Sequence, residues 1–275
     1  MPVSAPLYLP ENCRFSAPLT WGVSVFWKSA QTSAPWLDAI TQALEPDGIR
    51  VLGHRFSDPT TSQISVSTLP DVAPELIVQR VKGRLQYLVR GTLPKAFRRN
   101  FAIRGFGHVT RSVIENYVAT QLGHHRMADA RIQERFLSFQ IDDPTVDLSQ
   151  PQQTSHGIYW HNLHVVLVHS ERWAEVRESV LQAVHDMIRK VAQGKGYRLS
   201  RGAILADHIH VTLGCPFDVS PADVALSYVN NLAYVHGMKP VFQYGAYIGT
   251  FGEYDQRVVA SEETPFHGGE LRSDE

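Results

Sequence analysis

Asp207-His208-Ile209-His210-Val211-Thr212-Leu213-Gly214 alternates apolar and polar positions like a β-strand, and it has a counterpart 145 positions earlier, Ser62-Gln63-Ile64-Ser65-Val66-Ser67-Thr68-Leu69. A similar loop and helix start follow each strand: Asp71-Val72-Ala73-Pro74-Glu75 in one case, Asp218-Val219-Ser220-Pro221-Ala222-Asp223 in the other. Proline in the first turn behind a short polar residue is a helix-entry signal, because its missing N–H has no intrahelical partner there. Further on, Arg104-Gly105-Phe106-Gly107 faces Gly249-Thr250-Phe251-Gly252, again 145 apart. Three successive landmarks in register point to an internal repeat.

Working outward, the first copy has an apolar strand over Leu19 to Trp27, a helix opening near Pro35-Trp36 and a second strand over Ile49 to Phe56. The second copy has a strand over Asn162 to Val168, an amphipathic helix over Trp173 to Ala192 and a strand over Tyr197 to Ala206. Each copy therefore reads strand, helix, strand, strand, helix, strand. This predicts an α+β fold of two ferredoxin-like (split βαβ) units with antiparallel sheets. A closing helix is well developed only in the first copy. Residues 1–128 are expected to form the first unit, 129–156 a Pro- and Gln-containing linker, and 157–275 the second unit.

With 275 residues and 43% hydrophobic content, the chain can bury one large core or two smaller ones. Net charge is −1, so the global balance points to neither a nucleic-acid binder nor an enzyme of acidic substrates. The charge is unevenly spread, however. Leu76 to Ile114 carries nine basic residues, Arg80, Lys82, Arg84, Arg90, Lys95, Arg98, Arg99, Arg104 and Arg111, and no Asp or Glu. They are interleaved with Tyr87, Phe97, Phe101 and Phe106, a composition suited to neutralising phosphates and stacking bases; the alternative is a solvated helix face over core aromatics. Cys13 and Cys215 are too few for a disulfide framework or a cysteine-based zinc site. No run of about eighteen apolar residues and no signal-peptide pattern appears, so a soluble cytoplasmic protein is expected.

His208 and His210 stand two apart on a strand, so both rings project from one face and can ligate a divalent metal, or form a structural pair. Tyr117 and Gln121 share a helix face at i, i+4 spacing. A tyrosine hydroxyl can attack a phosphodiester when a metal offsets the developing charge; the alternative is a half-buried helix tyrosine. His124-His125 reads as a helix C-terminal cap or a DNA contact, and His161, His164 and His169 lie in or beside a strand with little to mark them as ligands.

His208-Ile209-His210 and the Tyr117-x-x-x-Gln121 helix, following Lys82-Gly83 and Phe106-Gly107, resemble the single-tyrosine HUH transposases of insertion sequences and REP-associated elements. The likeness spans about residues 19–122 and 158–260. It implies action on single-stranded or hairpin DNA with Mg²⁺ or Mn²⁺, through composite sites in which the His pair of one subunit works with the tyrosine helix of another. It further implies that Gln121 completes a metal shell with His208 and His210, and that Tyr117 forms a covalent 5′-phosphotyrosine.

The copies depart from that pattern in complementary ways. The first has Gln63-Ile64-Ser65 where the His pair belongs. The second has Glu262 opposite Tyr117 and Phe266 opposite Gln121, with Pro265 breaking the helix. An intramolecular pseudo-dimer with one surviving site is the expectation. Tyr254 is a rival nucleophile that falls before the helix position. Two other readings compete with a nicking and strand-transfer enzyme: a domesticated transposase relative that binds a DNA hairpin or repeat without cutting, and an RNA-binding module built on the same sheets.

Overall fold

The computed structural model describes residues 5–125, 127 and 129–253. The first unit comprises β2 (Thr20–Trp27), α1 (Leu37–Leu44), β3 (Ile49–Asp58), β4 (Thr61–Thr68), α2 (Pro74–Val89) and β5 (Phe97–Phe106), preceded by a short β1 (Arg14–Ser16). Two helices follow, α3 (Arg111–His124) and α4 (Ala130–Ser138), and then β6 (Ile141–Asp142), β7 (Gln152–Gln153) and β8 (Gly157–Trp160). The second unit is β9 (Asn162–Val168), α5 (Glu178–Lys195), β10 (Arg198–Ile204), β11 (His208–Gly214), α6 (Pro221–Val235) and β12 (Gly245–Thr250).

One sheet runs β3-β4-β2-β5-β8-β7 and the other β1-β12-β9-β11-β10-β6. Within each, the four strands of the unit are antiparallel and in the same order: fourth, first, third, second. That is the split βαβ order expected from the sequence. The fifth strand of each sheet comes from the other unit. β1 pairs in parallel with β12 (Phe15↔Ala246) before the chain crosses to become β2, and β8 pairs in parallel with β5 (Ala102↔Ile158) before the chain becomes β9.

Each sheet lays its apolar face on its own two long helices. Val23, Val25, Ile64 and Val66 pack with Ile40, Leu44, Ile77 and Val81. Leu163, Val165, Ile209 and Val211 pack with Val184, Ile188, Val224 and Leu232. The helix entries are reciprocal as well: the Glu75 amide donates to the Phe217 carbonyl at 3.1 Å, and the Ala222 amide donates to the Pro70 carbonyl at 2.8 Å. At the seam, the Thr20 amide donates to Thr250 Oγ1 at 2.9 Å, and that hydroxyl donates to the Phe106 carbonyl at 2.7 Å. A Cβ on Gly107 would lie 2.5 Å from the Thr250 carbonyl oxygen, so the strand crossing requires glycine there.

Two local expectations differ from the structure. The segment 129–156 has structure of its own. Asp129 caps α4 by accepting from the Arg131 amide, Phe136, Phe139 and Ile141 are buried in the second core, and β6 extends the sheet beside β10. Its Pro and Gln content masked enough apolar side chains to dock. The helix expected from Trp173 instead begins at Glu178. Glu171 and Arg172 have φ of 53° and 56°, a left-handed pair that no helix continues through.

Candidate composite site

α3 belongs to the first half of the chain but lies on the second sheet. Thr110 caps it, its side chain accepting from the Val113 amide. Its buried stripe is Glu115, Val118, Gln121 and Leu122. Val118 packs with Ala203 of β10 and Leu205, on the sheet face opposite α5 and α6, and Leu122 joins the second core. This docking puts Tyr117, 45% exposed, over β11.

His208, His210 and Thr212 project from that same face, since successive side chains of a strand alternate. The Tyr117 ring stands edge-on to His210 at 5.7 Å between centroids and to His164 at 6.1 Å. His208 and His210 are 5.0 Å apart. Behind them, Nδ1 of His208 donates to Asp207 Oδ1 at 2.6 Å, and Asp207 is held in turn by Arg172 at 3.2 Å. His164 lies almost parallel to His210, its Nε2 hydrogen-bonded to Nδ1 of His210 at 3.0 Å. Nε2 of His210 is buried with no partner among the described residues. Gln121 is buried beside Tyr117, its carboxamide donating to the Tyr117 carbonyl at 3.2 Å.

Burial sets the electrostatics. It pushes His164 down to about 4 and, with the neighbouring imidazoles adding to it, His210 down to about 3. His208 is also lowered by burial, with its hydrogen bond to Asp207 opposing. These rings are thus neutral near neutral pH, the state in which imidazole ligates metal. Among the described residues no group of three or more His, Cys, Asp or Glu could hold a metal.

The sequence reading passed over several participants. His164 sits opposite Thr212 in the β9–β11 register, one step from His210 on the same face; strand alternation carries that signal once the pairing is known. His125 ends α3, and its ring meets His208 at 5.0 Å, so it borders the site as well as ending the helix. Tyr247 of β12 approaches His164 at 5.6 Å, and burial with nearby Tyr117 raises its phenol. Tyr254, Glu262, Pro265 and Phe266 lie outside the described residues.

The acid-free basic run is less free than its sequence implied. Arg80 and Arg84 both pair with Asp47, at 3.6 and 3.0 Å. Lys82 is partly buried and donates to the carbonyls of Arg98, Arg99 and Asn100, which makes it a backbone clamp. Arg104 lies over the Trp160 ring at 3.8 Å and donates to the Glu253 carbonyl. Arg111 pairs with Glu115 at 2.7 Å. Arg90 stacks on the exposed Tyr87, and Lys95, Arg98 and Arg99 are exposed. Asp47, Trp160 and Glu253 come from distant parts of the chain, and a local charge count cannot see them.

Residues 158–235 match the family model of the IS200-like transposases. That stretch runs from β8 through α6 and includes His208 and His210, and it supports a transposase-related, DNA-directed function for this part of the chain. No curated protein matches significantly. Among solved structures, a putative glycine cleavage system transcriptional repressor is similar at 8% identity, with 86% of this chain and 98% of that one covered and a TM-score of 0.24. An unknown protein from Galdieria sulphuraria is similar at 11% identity, with 84% and 98% covered and a TM-score of 0.22. The regulatory subunit of aspartate kinase from Thermus thermophilus is similar at 13% identity, with 79% and 92% covered and a TM-score of 0.20. Likenesses this slight carry no argument about function. No helix among the described residues is long and apolar enough to cross a membrane.

Proposed function

We propose that the chain is a metal-dependent single-stranded DNA nickase and strand transferase, acting at one composite site through a covalent 5′-phosphotyrosine on Tyr117. The observation that carries this reading is the docking of α3, from the first half, so that Tyr117 meets His210 and His164 of the second half. The repeated strand order, the exchanged strands and the reciprocal helix-entry hydrogen bonds support a tandem of two degenerate copies folded as a pseudo-dimer.

The residues present fit a divalent cation, Mg²⁺ or Mn²⁺. The Nδ1 atoms of His208 and His210 are both engaged, which leaves their Nε2 atoms as donors, and that of His210 is an orphaned buried atom. Gln121 is the candidate for a third position. When bound, such a cation polarises the scissile phosphate and offsets charge that builds on it. Tyr117 attacks phosphorus with its phenolic oxygen; the Oη–P bond forms, the P–O3′ bond breaks, and the departing 3′-oxygen takes up a proton. The phosphotyrosine conserves the energy of the broken bond, so a second 3′-hydroxyl can reverse the step without ATP. Asp207 keeps His208 in one tautomer and orientation, and Val118 seats the helix from which Tyr117 reacts. Arg90, Lys95, Arg98 and Arg99 are the basic residues best placed to meet phosphates, while Lys82 serves the fold.

The test is formation of a covalent adduct with labelled single-stranded hairpin oligonucleotides in Mg²⁺ or Mn²⁺. Wild type is expected to give an adduct that Tyr117→Phe and His208→Ala both abolish. Binding without an adduct across a broad pool of oligonucleotides would replace this reading with a domesticated binding protein.

A further inference from the structure

Between the β9–α5 loop and the end of α6 lies a cavity of about 360 Å³ whose lining includes Trp173, Arg177, Val180, His236, Lys239 and Val241. Its volume is at the lower end of small-ligand pockets. Trp173 is 41% exposed, whereas Trp21, Trp27, Trp36 and Trp160, the other tryptophans, are buried. Arg177 in the lining is paired with the buried Glu175, and the exposed Lys239 carries the lining's other positive charge; an indole face, valine walls and an ammonium form a combination that holds a stacked base and its phosphate. Nε2 of His236 is buried with no hydrogen-bond partner among the described residues.

The backbone around the cavity is unusual. Glu171, Arg172 and Met238 are the non-glycine residues with positive φ among those described, and all three lie in the two loops that frame it. Such strain persists where surrounding structure enforces it, and it concentrates at ligand clamps. The clamp is tied to the catalytic strand: the His169 amide donates to the Asp207 carbonyl at 2.8 Å, the Glu175 amide donates to the Ala206 carbonyl at 2.7 Å, and Arg172 pairs with Asp207. The loops that frame the cavity are thereby joined to the residues that lead into β11.

We propose that this cavity receives one unpaired nucleotide of the bound strand, with its base on Trp173 and its phosphate on Lys239; the proposal rests on the single-strand reading of the composite site. Trp173 and Lys239 are specificity or positioning residues here, because neither touches the reacting atoms.

Trp173 supplies its own probe. Tyr117→Phe protein, which cannot cleave, is titrated with a short oligothymidylate strand, with thymidine 5′-monophosphate and with a blunt duplex. The strand is expected to quench Trp173 fluorescence saturably, and Trp173→Phe should remove the signal. In fluorescence anisotropy with labelled strand, Trp173→Ala and Lys239→Ala should each weaken binding by roughly tenfold with unchanged circular dichroism. Unchanged affinity in both variants, or quenching by the monophosphate or the duplex equal to that by the strand, overturns the assignment. Failure of the two readings is distinguishable: saturable quenching without a covalent adduct removes the nickase and leaves the pocket, while an adduct with silent Trp173 does the reverse.

Discussion

His161 occupies the bend between β8 and β9 with no exposed surface, its Nδ1 donating to the Pro216 carbonyl at 2.9 Å and its ring edge-on to Trp21 at 5.3 Å. Burial drives its pKa down to about 4. The unfolded chain binds a proton there at pH 6.5 and below, the folded chain only near pH 4, so stability falls as pH drops through that window. The effect is on the order of 3 kcal/mol at its limit. His161→Leu is expected to lower stability near pH 7 by about 1 kcal/mol through the orphaned carbonyl, and to flatten the slope between pH 6.5 and 4. Urea unfolding across that range measures both. At Asp207, whose carboxylate orients His208, Asp207→Asn should lower apparent metal affinity or adduct yield by about 10- to 100-fold without changing the thermal midpoint by more than a few degrees. A metal titration of adduct formation reads it directly, and an unchanged curve would remove Asp207 from the site.

At the scale of the element, α3 is held over β10 and β11, with Val118 against Ala203 and Leu205 at the centre of the contact. Val118→Asp places a charge in that contact and is expected to abolish the adduct while the far-ultraviolet circular dichroism stays near wild type. Val118→Ala should retain most activity. An adduct from the aspartate variant at wild-type yield would mean that the docking of α3 is irrelevant to the chemistry. Much of the element order was legible in the sequence, because each strand and helix buries a face against its own unit and so carries its own periodicity. The α2 entry at Pro74 and the α6 entry at Pro221 fell where the proline signals put them. What could not be read was long-range. β1 and β8 are three and four residues long, and their partners lie in the opposite unit. The same limit hid His164, whose place beside His210 depends on strand pairing, and misread Lys82, whose acceptors lie across the turn into β5.

At the scale of the whole molecule, the site draws on both halves of one chain. Mixing full-length Tyr117→Phe with full-length His208→Ala is therefore expected to restore no adduct, because each molecule lacks one half of its own site. Recovery on mixing would instead show that Tyr117 reaches a second molecule. Light scattering with and without oligonucleotide should accompany the experiment, with a monomer expected in its absence.

The exchanged strands set how separable the halves are. Neither half is a portable module, because severing the chain between them would strip a strand from each sheet and bare the outer edges of β5 and β12, templates on which loose chains could pair indiscriminately. Covalent linkage also changes what inheritance can do. In an assembly of identical chains every substitution is written twice, whereas on the tandem reading proposed above each half of the chain varies by itself, and asymmetry is heritable within a single reading frame.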